Sequence, residues 1–202
     1  MSAVAGPAPF DDDEWFFEPW WPGALAIVYI EGRTHLQTEH LADGDAAFPE
    51  LSGMASQFAS SRVIVQGTLL VLDEDGMPDP EMLRRRLAEG RAGHGSAAFV
   101  ASDLLWLGSA SVTGQSFEDR RSQLTRQLRD GDNCVVSRGL RGDGTTLAVA
   151  AASMGMGEIS ARRLNARYRP GAVDDGWLRL PVTEVPAPPT RPLLTLLQKL
   201  PL

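Results

Sequence analysis

A long run of β-branched and aliphatic residues, RVIVQGTLLVL at 62–72, restricts the fold of this chain more than any other feature. It leads directly into DEDG, an Asp-Gly turn signal. Residues of this kind favour strands, so the run predicts a long and well-buried strand. A second apolar run, AAFVASDLLWL at 97–107, predicts another strand. The chain therefore needs a substantial sheet and other elements to cover it.

The remaining segments mix strand and helix patterns without an internal repeat. LAIVYI, the turn EGR and THLQT predict a hairpin over 25–38, and EISARRL and GWLRLPV predict two further strands. Helix patterns occupy 48–59, 79–90, 116–128 and 145–155. This irregular order predicts an α+β domain with mainly antiparallel sheets flanked by helices.

Three of the helix patterns carry local detail. On the first, one side is apolar, with Phe48, Leu51, Met54, Ala55 and Phe58. The second runs from Pro80 to a stop at Gly90, and its RRR at 84–86 is interpreted as a solvent face. The third begins with capping-box spacing between Ser116 and Asp119.

Composition favours a reducing, cytoplasmic setting. The chain has 202 residues, 43% of them hydrophobic, which is enough for one good-sized core without disulfides or metals. Its one cysteine, Cys134, excludes a disulfide framework within the chain and a cysteine-clustered zinc site. We find neither a signal-peptide pattern nor an apolar stretch of membrane-spanning length. The net charge of -7 gives no overall attraction to nucleic acid, so such a surface would be a local patch.

Changes in composition predict three regions. Residues 1–13 are predicted to be a flexible lead, and 14–182 the folded domain. In 183–202, the Pro-rich TEVPAPPTRP is followed by the short apolar end LLTLLQKLPL. That end is expected to dock on its own domain or on a protein partner, or to support self-association.

The basic residues are almost all arginine. Of the 19 basic side chains, the single lysine is Lys199, close to the C-terminal end. The folded domain therefore offers no candidate for a lysine nucleophile.

Seven stretches from Trp15 to Pro181 resemble, in order, the adenylation (nucleotidyltransferase) domain of bacterial ATP-dependent DNA ligases, particularly the ligase D type. They are FEPWWPG, FPEL, QGTLLVLDEDGMPD, SDLLWL, VTGQSFEDRRSQL, RRLNARYRPG and WLRL. The resemblance implies an ATP-grasp/DNA-ligase-like nucleotidyltransferase fold. It also implies a chemistry in which a lysine attacks the α-phosphate of ATP and AMP then passes to a DNA 5′-phosphate.

The chain departs from that family at the positions that carry this chemistry. Trp20 stands where the family has the attacking lysine, and an indole nitrogen cannot replace an amine. Gln37 and Glu39 stand in places of arginines, and Glu158 is offset by one residue from the family's glutamate, which points it to the opposite face of a strand. Thr68 aligns with a metal-binding carboxylate of the family, and Ser102 aligns with its purine-stacking phenylalanine. The full set of degenerate positions is Trp20, Pro22, Leu25, Thr68, Ser102, Gly157, Arg162, Arg179 and Pro181.

Two interpretations of the aromatic stretch around Trp20 and Trp21 remain open. The aromatic side chains could be ordinary core packing at a sheet edge, or one of the two tryptophans could close the former ATP cleft. Burial of one large aromatic side chain contributes roughly 2 to 3 kcal/mol in either case.

These departures predict a catalytically inactive ligase-like domain that acts as a binding or regulatory module in DNA repair. ATP, other cofactors and a bound metal are not expected, nor is the OB-fold domain that active ligases carry. His35, His40 and His94 are too scattered to suggest a metal site. Weak DNA binding is predicted through a basic segment that contains Arg162, Arg163, Arg167 and Arg169.

Two rival functions stay open. One is an active nucleotidyltransferase that uses a different nucleophile or residues from a partner chain. The other is a nucleotide sensor that binds without reacting, which the lost stacking and metal-binding positions disfavour.

Overall fold

A computed structural model describes residues 1–182, so the predicted linker and apolar end at 183–202 lie outside the described residues. The chain divides into two compact units. Unit 1 contains residues 1–21, 114–119 and 137–182, and unit 2 contains 22–113 and 120–136. Neither unit is one continuous segment of sequence.

The described residues form strands, three α helices and a 3₁₀ helix. The strands are β1 (Ser2–Ala5), β2 (Asp11–Pro19), β3 (Ala24–Glu31), β4 (Thr34–Thr38), β5 (Arg62–Leu72), β6 (Ser96–Leu107), β7 (Ala110–Ser111), β8 (Cys134–Val136), β9 (Leu140–Asp143), β10 (Glu158–Arg163) and β11 (Val173–Pro181). The helices are the 3₁₀ helix Pro49–Gln57, α1 (Pro80–Glu89), α2 (Phe117–Gln127) and α3 (Gly144–Ser153). In residues 1–182 we find no helix with the length and apolar character needed to span a bilayer.

Unit 1 is built on a five-stranded sheet, which we call sheet A, in the order β1-β11-β10-β2-β9. All pairs are antiparallel except β1 with β11. Helix α3 packs on β2 and β10, and its Leu147 and Ala151 are fully buried. The pattern in the sequence correctly predicts α3, β10 and β11. The aromatic strand β2 lies inside sheet A, so its side chains do not pack at a sheet edge.

The prediction of a flexible lead over residues 1–13 is wrong for this structure. Ser2–Ala5 pairs with β11, and the Gly6 amide donates to the Arg179 carbonyl at 2.8 Å. Phe10 packs edge-on against Trp15 and Phe17, with ring centroids 5.4 and 5.2 Å apart. Backbone pairing with a strand about 170 residues away orders this segment, and such pairing leaves no local pattern in the sequence.

Unit 2 contains the second sheet, sheet B, in the order β4-β3-β5-β6-β7, with β8 parallel to β6. The predicted hairpin is confirmed as β3 and β4, and the two long apolar runs are β5 and β6. One face of the sheet carries the core of the unit. Its buried members include Val28, Val65, Leu69, Phe99 and Leu104.

The segment at 49–57 is a 3₁₀ helix, not the α helix that the sequence pattern favours. Phe48, Leu51 and Met54 are all buried, and they lie three residues apart. A repeat of three matches the 3₁₀ turn of 3.0 residues, so a 3₁₀ helix places all three side chains in line on the core.

Helix α1 has the predicted limits, and one of its three arginines faces inward. Asp79 accepts from two amides of the first turn, and Gly90 ends the helix with φ of 62°. Arg84 and Arg85 are exposed, but Arg86 is buried, which corrects the interpretation of RRR as a solvent face. Arg86 donates to Glu50 at 2.8 Å and to the carbonyls of residues 93–95.

The predicted cap of α2 is present. The Asp119 amide donates to Ser116 Oγ at 3.1 Å, and the Ser116 hydroxyl donates to the Asp119 carboxylate at 2.6 Å. The serine hydroxyl thus satisfies an amide of the first turn that has no partner within the helix.

Candidate functional site

The strand register of sheet A places several degenerate positions on one face. Arg162 pairs with Phe16 on one side and Trp177 on the other, and Ser160 pairs with Glu18 and Arg179. Directly paired residues of antiparallel strands point to the same side, as do alternate residues of one strand. We call this side the motif face. Its members are Phe16, Glu18, Trp20, Glu158, Ser160, Arg162, Trp177, Arg179 and Pro181.

Trp20, which is predicted to stand in place of the attacking lysine, packs against its neighbours on this face. Its ring centroid lies 6.3 Å from that of Trp177, and the guanidinium of Arg179 lies 5.5 Å from the Trp20 centroid. The Arg179 Nε lies 3.0 Å from a carboxylate oxygen of Glu158. Glu158 therefore lies on the same face as Trp20, and not on the opposite face that its one-residue offset predicts. Trp20 is half-buried and Trp21 is buried.

Arg162 is held more firmly than Arg179. Its guanidinium carbon lies 3.9 Å from the Trp177 ring centroid and 5.1 Å from that of Phe117. Its Nε lies 3.3 Å from a carboxylate oxygen of Glu18, and the two side chains are only 6% and 2% exposed. The Trp177 indole in turn donates to the Ser160 hydroxyl at 2.8 Å. The arginine is therefore paired with a carboxylate and covered by aromatic rings.

The motif face consequently has little free charge and no amine. Arg162 and Arg179 are matched by Glu18 and Glu158, so the formal charge of these four side chains is zero. A guanidinium remains protonated in proteins and does not act as a nucleophile in the way that a neutral lysine amine does. The stacked rings and ion pairs make this face a packed polar and aromatic layer.

Three other degenerate positions lie in sheet B. Leu25 pairs with Thr68, and Leu25 is 42% exposed. Ser102 is the extra residue of a bulge, because Gly67 pairs with Ala101 while Gln66 pairs with Asp103. Its hydroxyl donates to the Gln66 carbonyl at 3.4 Å. A serine hydroxyl here offers no ring on which a purine could stack.

The remaining positions stand in turns at strand ends. Pro22 is exposed in the bend between β2 and β3, and Gly157 is exposed just before β10, where its carbonyl accepts from the Val182 amide. Gly23 follows Pro22 in the same bend. A Cβ at Gly23 would lie 2.3 Å from the Leu69 carbonyl oxygen, so close backbone packing requires glycine whether or not the chain is active.

The four arginines predicted to contact DNA separate into two groups. Arg162 is not available to DNA in this structure, because it is buried against Glu18 and Trp177. Arg163, Arg167 and Arg169 instead line a cavity of about 380 Å³, together with Asn165 and Asp175. Arg163 also lies 3.3 Å from Glu14 and 4.6 Å from the Trp15 ring centroid.

The sequence pattern does not show the partners that hold these side chains. Glu18 is the only acidic residue within the aromatic part of β2, and this signal could have marked it as a buried partner of an arginine. A second buried ion pair joins Arg120 to Asp103, with contacts of 2.7 and 2.8 Å and side chains that are 2% exposed. Nothing in the local sequence indicates that pair.

The comparisons with known proteins agree with this fold. No protein-family model matches the sequence. The chain is 29% identical over 167 residues to the multifunctional non-homologous end joining DNA repair protein LigD of Mycobacterium tuberculosis, which covers 82% of this chain and 21% of LigD. It is 35% identical over 121 residues to DNA ligase C2 of Mycolicibacterium smegmatis, which covers 56% of this chain and 34% of that protein. The chain thus spans about a fifth of the length of the LigD relatives that it matches.

The solved structures extend the likeness to the described fold. A mycobacterial DNA ligase D complexed with ATP and MES superposes with a TM-score of 0.76 at 26% identity, over 90% of this chain and 59% of that one. The ligase domain of M. tuberculosis LigD gives 0.75 at 26% identity, over 89% and 57% of the two chains. The protein is therefore a homologue of the ligase domain of LigD, with the nucleotidyltransferase fold of the ATP-dependent DNA ligases.

Proposed function

We propose that this chain is a catalytically inactive ligase-like domain that acts as a binding or regulatory module in DNA repair. The packing of Trp20 on the motif face carries the proposal, because an indole lies where its relatives would need an amine nucleophile. Arg162 and Arg179 add support. Their charges are matched by Glu18 and Glu158, which weakens the attraction of this face for the phosphates of ATP.

Incubation with magnesium and ATP labelled at the α-phosphate tests the loss of catalysis. We expect no covalently labelled protein, since a lysyl-adenylate cannot form at Trp20, and a working DNA ligase serves as the positive control. The Trp20→Lys variant should also remain unlabelled, because restoring the amine leaves the arginines paired. A labelled band in the wild-type protein would instead support the rival, an active nucleotidyltransferase with another nucleophile or a partner chain.

Binding of ATP without reaction is a separate question. Calorimetric titration with ATP and magnesium is expected to give no saturable heat, and the melting temperature is expected to stay unchanged. Micromolar binding without labelling would contradict this part of the proposal and would favour a nucleotide sensor.

The binding role that we propose includes weak DNA binding at the cavity lined by Arg163, Arg167 and Arg169. Several guanidinium groups on one short segment suit phosphate oxygens, which accept paired hydrogen bonds from arginine. Changing Arg167 and Arg169 to alanine should abolish binding of a DNA duplex, measured by fluorescence anisotropy at two salt concentrations. Arg84 and Arg85, also exposed, provide the matched control, and their double alanine variant should bind as the wild-type protein does. Equal loss in both variants would indicate non-specific charge attraction.

The binding role that we propose also includes contact with a protein partner, or self-association, through residues 183–202. Removal of these residues should then leave DNA binding unchanged while it abolishes any dimer seen by sedimentation.

A further inference from the structure

The turn after β4 brings two carboxylates to a histidine. The Nδ1 atom of His35 lies 3.1 Å from an oxygen of Asp45 and 4.0 Å from an oxygen of Asp43. One coordinating atom from each of the three residues lies within 4.8 Å of the other two. His35 therefore lies beside two carboxylates, although the sequence pattern shows it as isolated. The chain reverses at residues 39–44 and returns to β4, which brings these carboxylates to the histidine.

The backbone and neighbouring side chains hold these three groups in place. Asp45 accepts from the Leu36 amide at 2.8 Å with one oxygen, which leaves the other oxygen directed at His35. The Gly44 amide donates to the Leu36 carbonyl at 2.8 Å, which fastens the turn to β4. The ring of Tyr29 lies 5.9 Å from that of His35 and restricts the orientation of the imidazole. Ligating groups that are oriented by such outer contacts bind metal ions more tightly than mobile ones.

We propose that His35, Asp43 and Asp45 bind a divalent cation of the zinc class. An imidazole nitrogen with carboxylate oxygens is a donor set that suits zinc, whereas magnesium and calcium prefer oxygen alone. Adjacent ligands around a tetrahedral ion with bonds of about 2.1 Å lie roughly 3.4 Å apart, and separations of 3.1 and 4.0 Å need only small side-chain movements to reach this. Three protein ligands leave a fourth position for water.

The two carboxylates together carry two negative charges, which the cation neutralises. The bound ion would tie the turn at 39–45 to the edge strand β4. This role is independent of the motif face, which lies in unit 1.

Titration of the chelator-treated protein with zinc, followed by calorimetry, tests the site. Cobalt in place of zinc provides a spectroscopic readout, since coordination by protein ligands gives visible absorption bands that the hydrated ion shows only weakly. We expect one ion per chain. His35→Gln and Asp45→Asn should each weaken binding by more than about tenfold, in line with losses at other metal sites.

The chain supplies its own controls. His40→Gln and His94→Gln remove the only other histidines and should leave zinc binding unchanged. Cys134 is 1% exposed, so it does not compete for the ion in the folded protein. Asp43→Asn is a further variant that keeps the fold, because the Asp43 side chain is 77% exposed, and it should also weaken binding. The proposal is overturned by an absence of saturable zinc binding, by equal losses in the control variants, or by magnesium binding as tightly as zinc.

Discussion

Arg162 shows how a single residue can be fixed by its surroundings. Its guanidinium is paired with Glu18 and lies over the rings of Trp177 and Phe117. The ion pair is almost fully buried, so loss of one partner leaves the other as an uncompensated charge in a poorly solvated place. The cationic and aromatic groups also attract each other across the ring faces. Arg162 therefore has a structural role that can be measured.

Replacing Arg162 with alanine should lower the free energy of unfolding by about 3 to 5 kcal/mol, the range for breaking buried ion pairs. Urea denaturation followed by circular dichroism measures this. The neighbouring Arg163 is the matched control, because its side chain is 45% exposed, and its alanine variant should cost at most about 1 kcal/mol. A loss at Arg162 no larger than at Arg163 would contradict a structural ion pair.

The sequence predicts the chemistry that a side chain lacks more reliably than it predicts the residues that the side chain contacts. The lack of an amine at Trp20 follows from its chemistry alone. The pairing of Arg162 with Glu18, however, depends on β2 and β10 lying side by side, although they are about 140 residues apart in sequence. For the same reason Arg162 was predicted to contact DNA with Arg163, whereas strand alternation buries the first and exposes the second.

The start of helix α3 is held by a residue of a distant strand. Asp11, at the start of β2, accepts from the Thr145 amide at 2.8 Å and from the Thr145 hydroxyl with both carboxylate oxygens. It thereby satisfies an amide in the first turn of the helix from a distant strand. The hydrogen bond from the Thr145 amide, with a further contribution from its hydroxyl, lowers the pKa of Asp11 below its ordinary value of 3.8.

This contact predicts that the folded protein loses stability as the pH falls into the acid range. The pKa of Asp11 is lower in the folded protein than in the unfolded chain, so its contribution to stability is complete above 3.8 and disappears as the pH falls through the folded value. The stability difference between the wild-type protein and Asp11→Ala should therefore be largest near neutral pH and should narrow in acid. Urea denaturation at several pH values measures it. Asp75→Ala is the control variant, because the Asp75 carboxylate makes no hydrogen bond to residues 1–182.

Elements with local signals were predicted well, and elements defined by distant pairing were not. The hairpin of β3 and β4, the caps of α1 and the long strands β5 and β6 follow from turn residues and periodicity. The parallel partners β1 and β8 were missed, since they are short and find their partners far along the chain. The sequence does not distinguish the 3₁₀ helix from an α helix, because buried residues three apart fit either pattern over one or two turns.

The chain passes between the two units four times, after residues 21, 113, 119 and 136. Each unit is therefore assembled from separated segments. Unfolding one unit releases the ends of the segments that make up the other, which raises the conformational entropy that the remaining unit must overcome. This arrangement favours one cooperative transition, despite the division into two units.

The two units carry separate natural probes for this transition. Trp15, Trp20, Trp21 and Trp177 lie in unit 1, so a Trp106→Phe variant makes tryptophan emission specific to that unit. Cys134 lies in unit 2, and burial, with a further contribution from the Asp130 carboxylate, raises the pKa of its thiol, so it should react with thiol reagents only after unfolding. We expect the emission change and the labelling of Cys134 to share one urea midpoint and one slope. Labelling of Cys134 at lower urea, while the emission stays native, would mean that unit 2 opens alone and that the repeated crossings do not couple the units.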